Sequence, residues 1–189
     1  MKRTTLLILL FTAFSIYAQE KFTTNTATIN FEASIPLFEE IKAVNRSAVI
    51  VLEPKTSTFN CIVLIKDFRF KLDLMQEHFN ENYLESDRYP KAVFKGKIAK
   101  FDMKDIDDIE KEYLIKGKLT VHGKSREIEV KALMKRVKEG IQIHSDFPIL
   151  VSDFDISIPV KIGSKISTTA NTGLSAVIRS EEMGLLTFK

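Results

Sequence analysis

From Lys21 onward, apolar and polar residues alternate with a period of two, the pattern of strands that bury one face and wet the other. The first run sets Ile29, Phe31, Ala33 and Ile35 against Asn30, Glu32 and Ser34 and stops at Pro36. A short turn or helical piece is predicted from there through Asn45. Ala48 to Leu52 and Phe59 to Ile65 make the next two strands, with Glu53, Pro54, Lys55 and Thr56 turning the chain between them. The alternation breaks from Leu72 to Leu84, where Leu72, Met75, Phe79 and Tyr83 recur at spacings of three and four, which predicts one amphipathic helix over about residues 72–84. It ends before Tyr89 and Pro90, since proline forces extended backbone on the residue before it.

The strand that follows faces Ala92, Phe94, Gly96 and Ile98 one way and Lys95, Lys97 and Lys100 the other. An acidic run from Asp102 to Glu112 reads as a solvated loop. Residues 113–140 predict a hairpin turning near His122, Gly123, Lys124 and Ser125: Ile115, Gly117, Leu119, Val121, Ile128, Val130, Ala132 and Met134 share a face opposite Lys116, Lys118, Thr120, Glu127, Glu129 and Lys131. Gly140 turns the chain into Ile141, Ile143 and Phe147. A loop or bend runs through Asp153 to Pro159, and a last strand covers roughly Ser167 to Arg179.

About eight short strands with polar outer faces predict an all-β fold, an eight-stranded antiparallel barrel, which is the size that encloses one small ligand. A membrane barrel would need an apolar outer band, because Lys or Arg at the bilayer midplane costs about 2–4 kcal/mol. Lys95, Lys97, Lys116, Lys118, Glu129 and Lys131 stand mid-strand on one face, so the apolar face points inward. Gly96 and Gly117, mid-strand on that inward face, are expected to leave room beside them.

The chain opens with Lys2 and Arg3 ahead of an apolar stretch from Leu6 to Phe11 that weakens toward Ile16, and the small residue Ala18 follows. That order predicts a secretory signal over residues 1–18 and a periplasmic or secreted product. Removing 18 of 189 residues leaves 171, residues 19–189, enough for one domain. The predicted mature chain keeps 26 basic against 25 acidic residues, which disfavours nucleic acid as a partner. No later segment has the roughly 20 apolar residues of a membrane helix. The single cysteine, Cys61, excludes an internal disulfide.

Little in the chain suggests catalysis. His78, His122 and His144 share no metal-ligand spacing, and His122 at a turn and His144 on a polar strand face are expected to be exposed. Cys61, on an inward face, is expected to be an inert buried thiol. The acids Asp105, Asp107 and Asp108 lack the ordered positions of a calcium loop. The reading against which a binding protein must be weighed is an enzyme that uses His78 with a turn carboxylate, Glu85 or Asp87. A filled barrel acting through its surface is the third.

The segment MQEHFNENYLESDRYPKAVFKG, Met75 to Gly96, resembles the YceI family of exported lipocalin-like proteins. The resemblance includes His78, Phe79 and Asn80, the Tyr89 and Pro90 pair, Phe94, the LTVHG run from Leu119 to Gly123, and DFDISIP from Asp153 to Pro159. It covers nearly all of the mature chain and weakens at both ends. It implies a lipocalin-like barrel, closed at one end by the helix, around an elongated apolar tunnel. The implied ligand is a polyisoprenoid, such as an isoprenoid quinone or lipid, with no other cofactor. Matched by position, the implied lining is Phe31, Cys61, Val63, Ile65, Phe68, Phe94, Ile98, Leu119, Val121, Ile128, Val130 and Phe147. Met75 and Phe79 reach in from the helix. His78, near the tunnel mouth, either bonds a ligand head group or caps local backbone, the latter being preferred. The oligomeric state is left open.

Overall fold

In the computed structural model, residues 20–38, 40–159, 163 and 165–181 are described, so the predicted signal lies outside the described residues. Nine strands form one antiparallel sheet: β1 Phe22–Ser34, β2 Lys42–Glu53, β3 Thr58–Leu64, β4 Arg69–Phe70, β5 Lys91–Ile98, β6 Lys111–Val121, β7 Lys124–Val137, β8 Gly140–Leu150 and β9 Ile166–Ser180. Their order is β1-β9-β8-β7-β6-β5-β3-β2-β4, and β1 also pairs with β2. Eight strands therefore close into a barrel, with the two-residue β4 added beside β2.

The alternation places the faces as expected. In the β6–β7 hairpin, Ile115 lies opposite Val130, and the outward Lys116 lies opposite Glu129 with the charged ends 2.5 Å apart. The predicted turn or helical piece through Asn45 is a correction: β2 begins at Lys42, so Ala43, Val44 and Asn45 are extended. Polar Asn45 and Arg46 interrupt the apolar run there. Asn45 is buried, its amide donating to Leu64 O at 2.9 Å and accepting from Ser47 N at 2.8 Å, so a buried polar group is satisfied at a register shift in β1–β2.

The glycines are a second correction. Gly96 and Gly117 pair directly across β5 and β6. A β-carbon on Gly117 would stand 2.4 Å from Gly96 Cα, and one on Gly96 would stand 2.8 Å from the Phe94 ring. They permit close backbone approach and seat an aromatic ring; the space beside them is filled.

The chain reverses at alternate ends of the barrel. At one end lie the β2–β3 turn, the acidic segment between β5 and β6, and the β7–β8 turn. Here Phe101 packs edge-on against Tyr113 at 5.8 Å, and Arg136 fixes the segment by donating from its backbone N to Asp107 O and from Nε to Ile106 O. At the other end lie the β1–β2 loop, the long β3–β5 connection, the His122–Gly123 turn and the segment after β8. The connection carries the predicted helix as α1, Asp73–His78, followed by a π-helical turn Phe79–Tyr83. Leu84 N bonds Phe79 O at 2.9 Å, so the widened turn shifts the apolar stripe by one residue and buries Leu84 more deeply than Tyr83.

Candidate ligand-binding cavity

The helix is held by rings. Phe31 of β1, Phe68, Phe70 of β4 and Phe79 stack and tilt on one another, with Phe31–Phe79 centroids 5.5 Å apart and Phe70–Phe79 5.0 Å apart. Such pairs add about 0.5–1.5 kcal/mol each beyond the area they bury. Behind them the barrel encloses a cavity of about 430 Å³, within the range of small-molecule sites.

Its wall is apolar. The last two strands contribute from their helix-end inward positions: Ile143, Ser145 and Phe147 of β8 line it while Ile141 does not, and Ala170, Thr172 and Leu174 of β9 line it while Ile178 does not; on β3 the lining extends down to Phe59. The strand hydroxyls in the wall are spent on backbone, Ser145 donating to Lys131 O at 2.7 Å, Thr172 to Ala170 O at 3.4 Å and Ser167 to Thr169 O at 2.8 Å. They leave little polar demand for a ligand to meet. Burial pushes the Cys61 thiol up to about 12, so this wall group stays a neutral, inert SH near neutral pH. Leu72, Leu74 and His78 are the most exposed wall residues and all belong to the helix or its approach, which identifies that end as the mouth.

Fourteen of the fifteen residues implied as ligand contacts border this one cavity. The exception is Ile98. It lies opposite Ile115 at the end of β5 and packs, 3% exposed, into the closed end below the void. The sequence missed Phe70, Tyr83 and the contribution of β9. Phe70 is hidden in a two-residue strand too short to show alternation. In β9 the signal was present as Ala170, Thr172 and Leu174 on one face, but small and hydroxylated residues carry little apolar weight.

His78 is exposed at the mouth and makes no side-chain hydrogen bond among the described residues, so it does not cap backbone as preferred from the sequence. Tyr83 reaches the wall beside it, its phenol raised by burial. Neither turn carboxylate is coupled to His78. Glu85 faces His122 Nε2 at 3.3 Å and Arg88 at 3.6 Å, and Asp87 pairs with Lys66 at 2.5 Å.

His122 itself is not exposed: its side chain is 11% accessible. Nδ1 donates to Phe154 O at 3.0 Å, and the Tyr89 ring meets it edge-on at 4.7 Å. A carbonyl only accepts, so Nδ1 carries the proton, and the Glu85 contact becomes a second donation when the ring is protonated. This side chain joins three mouth segments: the β6–β7 turn, the loop after the helix and the turn after β8. His144, by contrast, is exposed, 2.8 Å from Asp146. Among the described residues no group of three potential ligands could hold a metal ion.

The model of the YceI-like domain matches residues 15–175. Among solved structures, the chain is similar to a polyisoprenoid binding domain from Saccharophagus degradans implicated in plant cell wall breakdown, at TM-score 0.70 and 13% identity, over 85% of this chain and 98% of that one. It is similar to Burkholderia cenocepacia BcnA at TM-score 0.64 and 15% identity, over 79% of this chain and 94% of that one. It also resembles a Campylobacter jejuni YCEI protein at TM-score 0.52 and 21% identity, over 71% and 80% of the two chains. A search of curated proteins finds no match. At these identities the structural likenesses concern the fold.

Proposed function

The chain belongs to the YceI-like domain family, and from that premise we propose that it is an exported carrier or buffer that holds a polyisoprenoid, such as a quinone tail or isoprenoid lipid, in its cavity. It binds and performs no chemistry. The observation that carries the reading is the wall: a predominantly apolar lining, strand hydroxyls turned to backbone, and a mouth at the helix end. Removing hydrocarbon from water gains about 0.8 kcal/mol per CH₂, so several isoprene units provide tight retention without a polar anchor. A ligand's polar head belongs at the mouth, beside His78 and Tyr83. The polyisoprenoid binding of the Saccharophagus degradans domain supports the ligand class. The charged order at the start of the sequence supports export.

Two measurements on protein purified from its own host test this. Native mass spectrometry with solvent extraction is expected to release an isoprenoid, and adding an isoprenoid quinone to emptied protein is expected to raise its Tm, since a ligand at a hundred times its Kd stabilises by about 2.7 kcal/mol. A uniformly empty barrel whose Tm ignores isoprenoid quinones would rule the reading out.

A further inference from the structure

Exposed apolar side chains gather around the mouth and include the most exposed among the described residues; on the outer wall Val49, Ile62 and Leu64, about 40% exposed, form a smaller and less exposed group on β2 and β3. Leu37 is fully exposed and Phe38 nearly half exposed at the tip of the β1–β2 loop, Leu74 is 61% exposed on α1, and Leu72 and Leu150 are exposed beside them. They come from three separate mouth segments. Leu72 and Leu74 also belong to the cavity wall, so the apolar surface runs without a break from the interior onto the rim. Leu37 holds a φ of 74°. A branched side chain seldom adopts that backbone, and here it projects a leucine wholly into solvent.

The opposite end has the reverse character. Its exposed Ile109 stands within Asp105, Asp107, Asp108, Glu110 and Glu112.

We propose that this rim inserts into a lipid bilayer, with Leu37, Phe38, Leu72, Leu74 and Leu150 as the inserted side chains, so that a hydrocarbon ligand passes between membrane and cavity without crossing water. The inference rests on the reading of the cavity as a lipid site, and it adds the partner. A bilayer is the occupant because the apolar path is continuous from wall to rim and the far end is too acidic to enter one. Contact through aliphatic side chains is insensitive to salt and needs no anionic lipid.

Flotation of the purified protein with phosphatidylcholine vesicles, at low and high salt, tests it. In parallel, N-phenylnaphthylamine fluorescence reports filling of the cavity. The protein is expected to float at both salt concentrations. Leu37→Glu combined with Phe38→Glu, neither of which lines the cavity, is expected to lower the floated fraction about tenfold or more while the probe still fills and the Tm holds. Leu150→Glu provides a second rim variant should the first fail to fold, and Ile109→Glu at the far end is expected to float as the parent does. Probe filling without flotation overturns the proposal, as does flotation that the rim variants leave intact. A dimer that the rim variants dissociate, with no vesicle binding, assigns the surface to a second copy and equally overturns it. Flotation without probe filling sustains the rim and counts instead against the lipid reading of the cavity.

Discussion

The closed and open halves of the barrel share one alternation of inward and outward residues, yet one half is packed and the other is hollow. Toward the acidic segment the inward positions hold Phe22, Leu52, Ile98, Met134, Ile141 and Ile178, none more than 5% exposed. Toward the helix, the same strands surround about 430 Å³ of space. Hydrophobicity does not separate them. Volume at the middle of the barrel contributes: along β7 the inward series steps from Met134 to Ala132, along β8 from Ile141 and Ile143 to Ser145, and along β9 from Leu174 to Thr172 and Ala170. The large rings of the open half, Phe31, Phe68, Phe70 and Phe79, pack on one another around the helix and leave the barrel axis clear. Period two marks the inward face, and small inward side chains on β7, β8 and β9 together with the ring cluster around the helix mark where it is empty.

The largest expected effect comes from truncation in the packed half. Met134→Ala removes a side chain with neighbours on all sides and is expected to cost about 2–5 kcal/mol in urea unfolding. Leu119→Ala in the cavity wall, which already faces space, is expected to cost about 1–2 kcal/mol because fewer contacts are lost. Equal losses would remove the distinction between the halves. Enlargement sharpens it from the other side. Ala176→Phe, in the packed half, is expected to destabilise by about 1–3 kcal/mol through overpacking. Ala170→Phe, at the cavity wall, is expected to leave the Tm nearly unchanged and to reduce isoprenoid retention about tenfold in a displacement assay, a loss of about 1.4 kcal/mol of binding.

How much of this was legible in the sequence follows the same division. The alternation of Ile115, Leu119 and Val121 against Lys116 and Lys118 reports which face is inward, and it carried the hairpin and the barrel, while the wall residues followed from the family resemblance, matched by position. Neither gives depth along the axis, and Ile98 stands among the implied wall residues though it packs below them. Register supplies depth, and register across non-adjacent strands such as β1 and β9 is a tertiary fact. Gly96 and Gly117 were misjudged for a related reason: a missing side chain leaves room only if nothing else comes to fill it, and their direct pairing was not visible. His122 gave no apolar signal at a polar turn, so its burial depended on Glu85 and Phe154, which are 37 and 32 residues away.

That cross-link gives the next smaller effect. His122→Ala removes a hydrogen bond to Phe154 O and the Glu85 contact, and is expected to cost about 1–2 kcal/mol. Its consequence belongs to the open half: amide exchange of the turn after β8 and of the loop after the helix should rise, with the packed half unchanged. Glu85→Gln is expected to cost less than about 1 kcal/mol, since its contact is partly exposed and long.

At neutral pH the smallest effect concerns Cys61, whose thiol tests whether the open half is as dry as its wall implies. Desolvation holds this group at about 12 against an ordinary 9.0. Below pH 9 the thiol is protonated in both folded and unfolded chains and its ionisation does not bear on stability. As pH rises from about 9 toward 12 the unfolded chain loses the proton while the folded chain keeps it, so stability declines through that window. Cys61→Ala is expected to abolish this part of the alkaline decline in urea titrations at successive pH values. At pH 8, iodoacetamide is expected to alkylate the native thiol far more slowly than the unfolded one, and isoprenoid loading should slow it further. Native alkylation as fast as in urea would mean that water fills the cavity freely, and the hollow half would then be a solvent cleft in place of a hydrocarbon site.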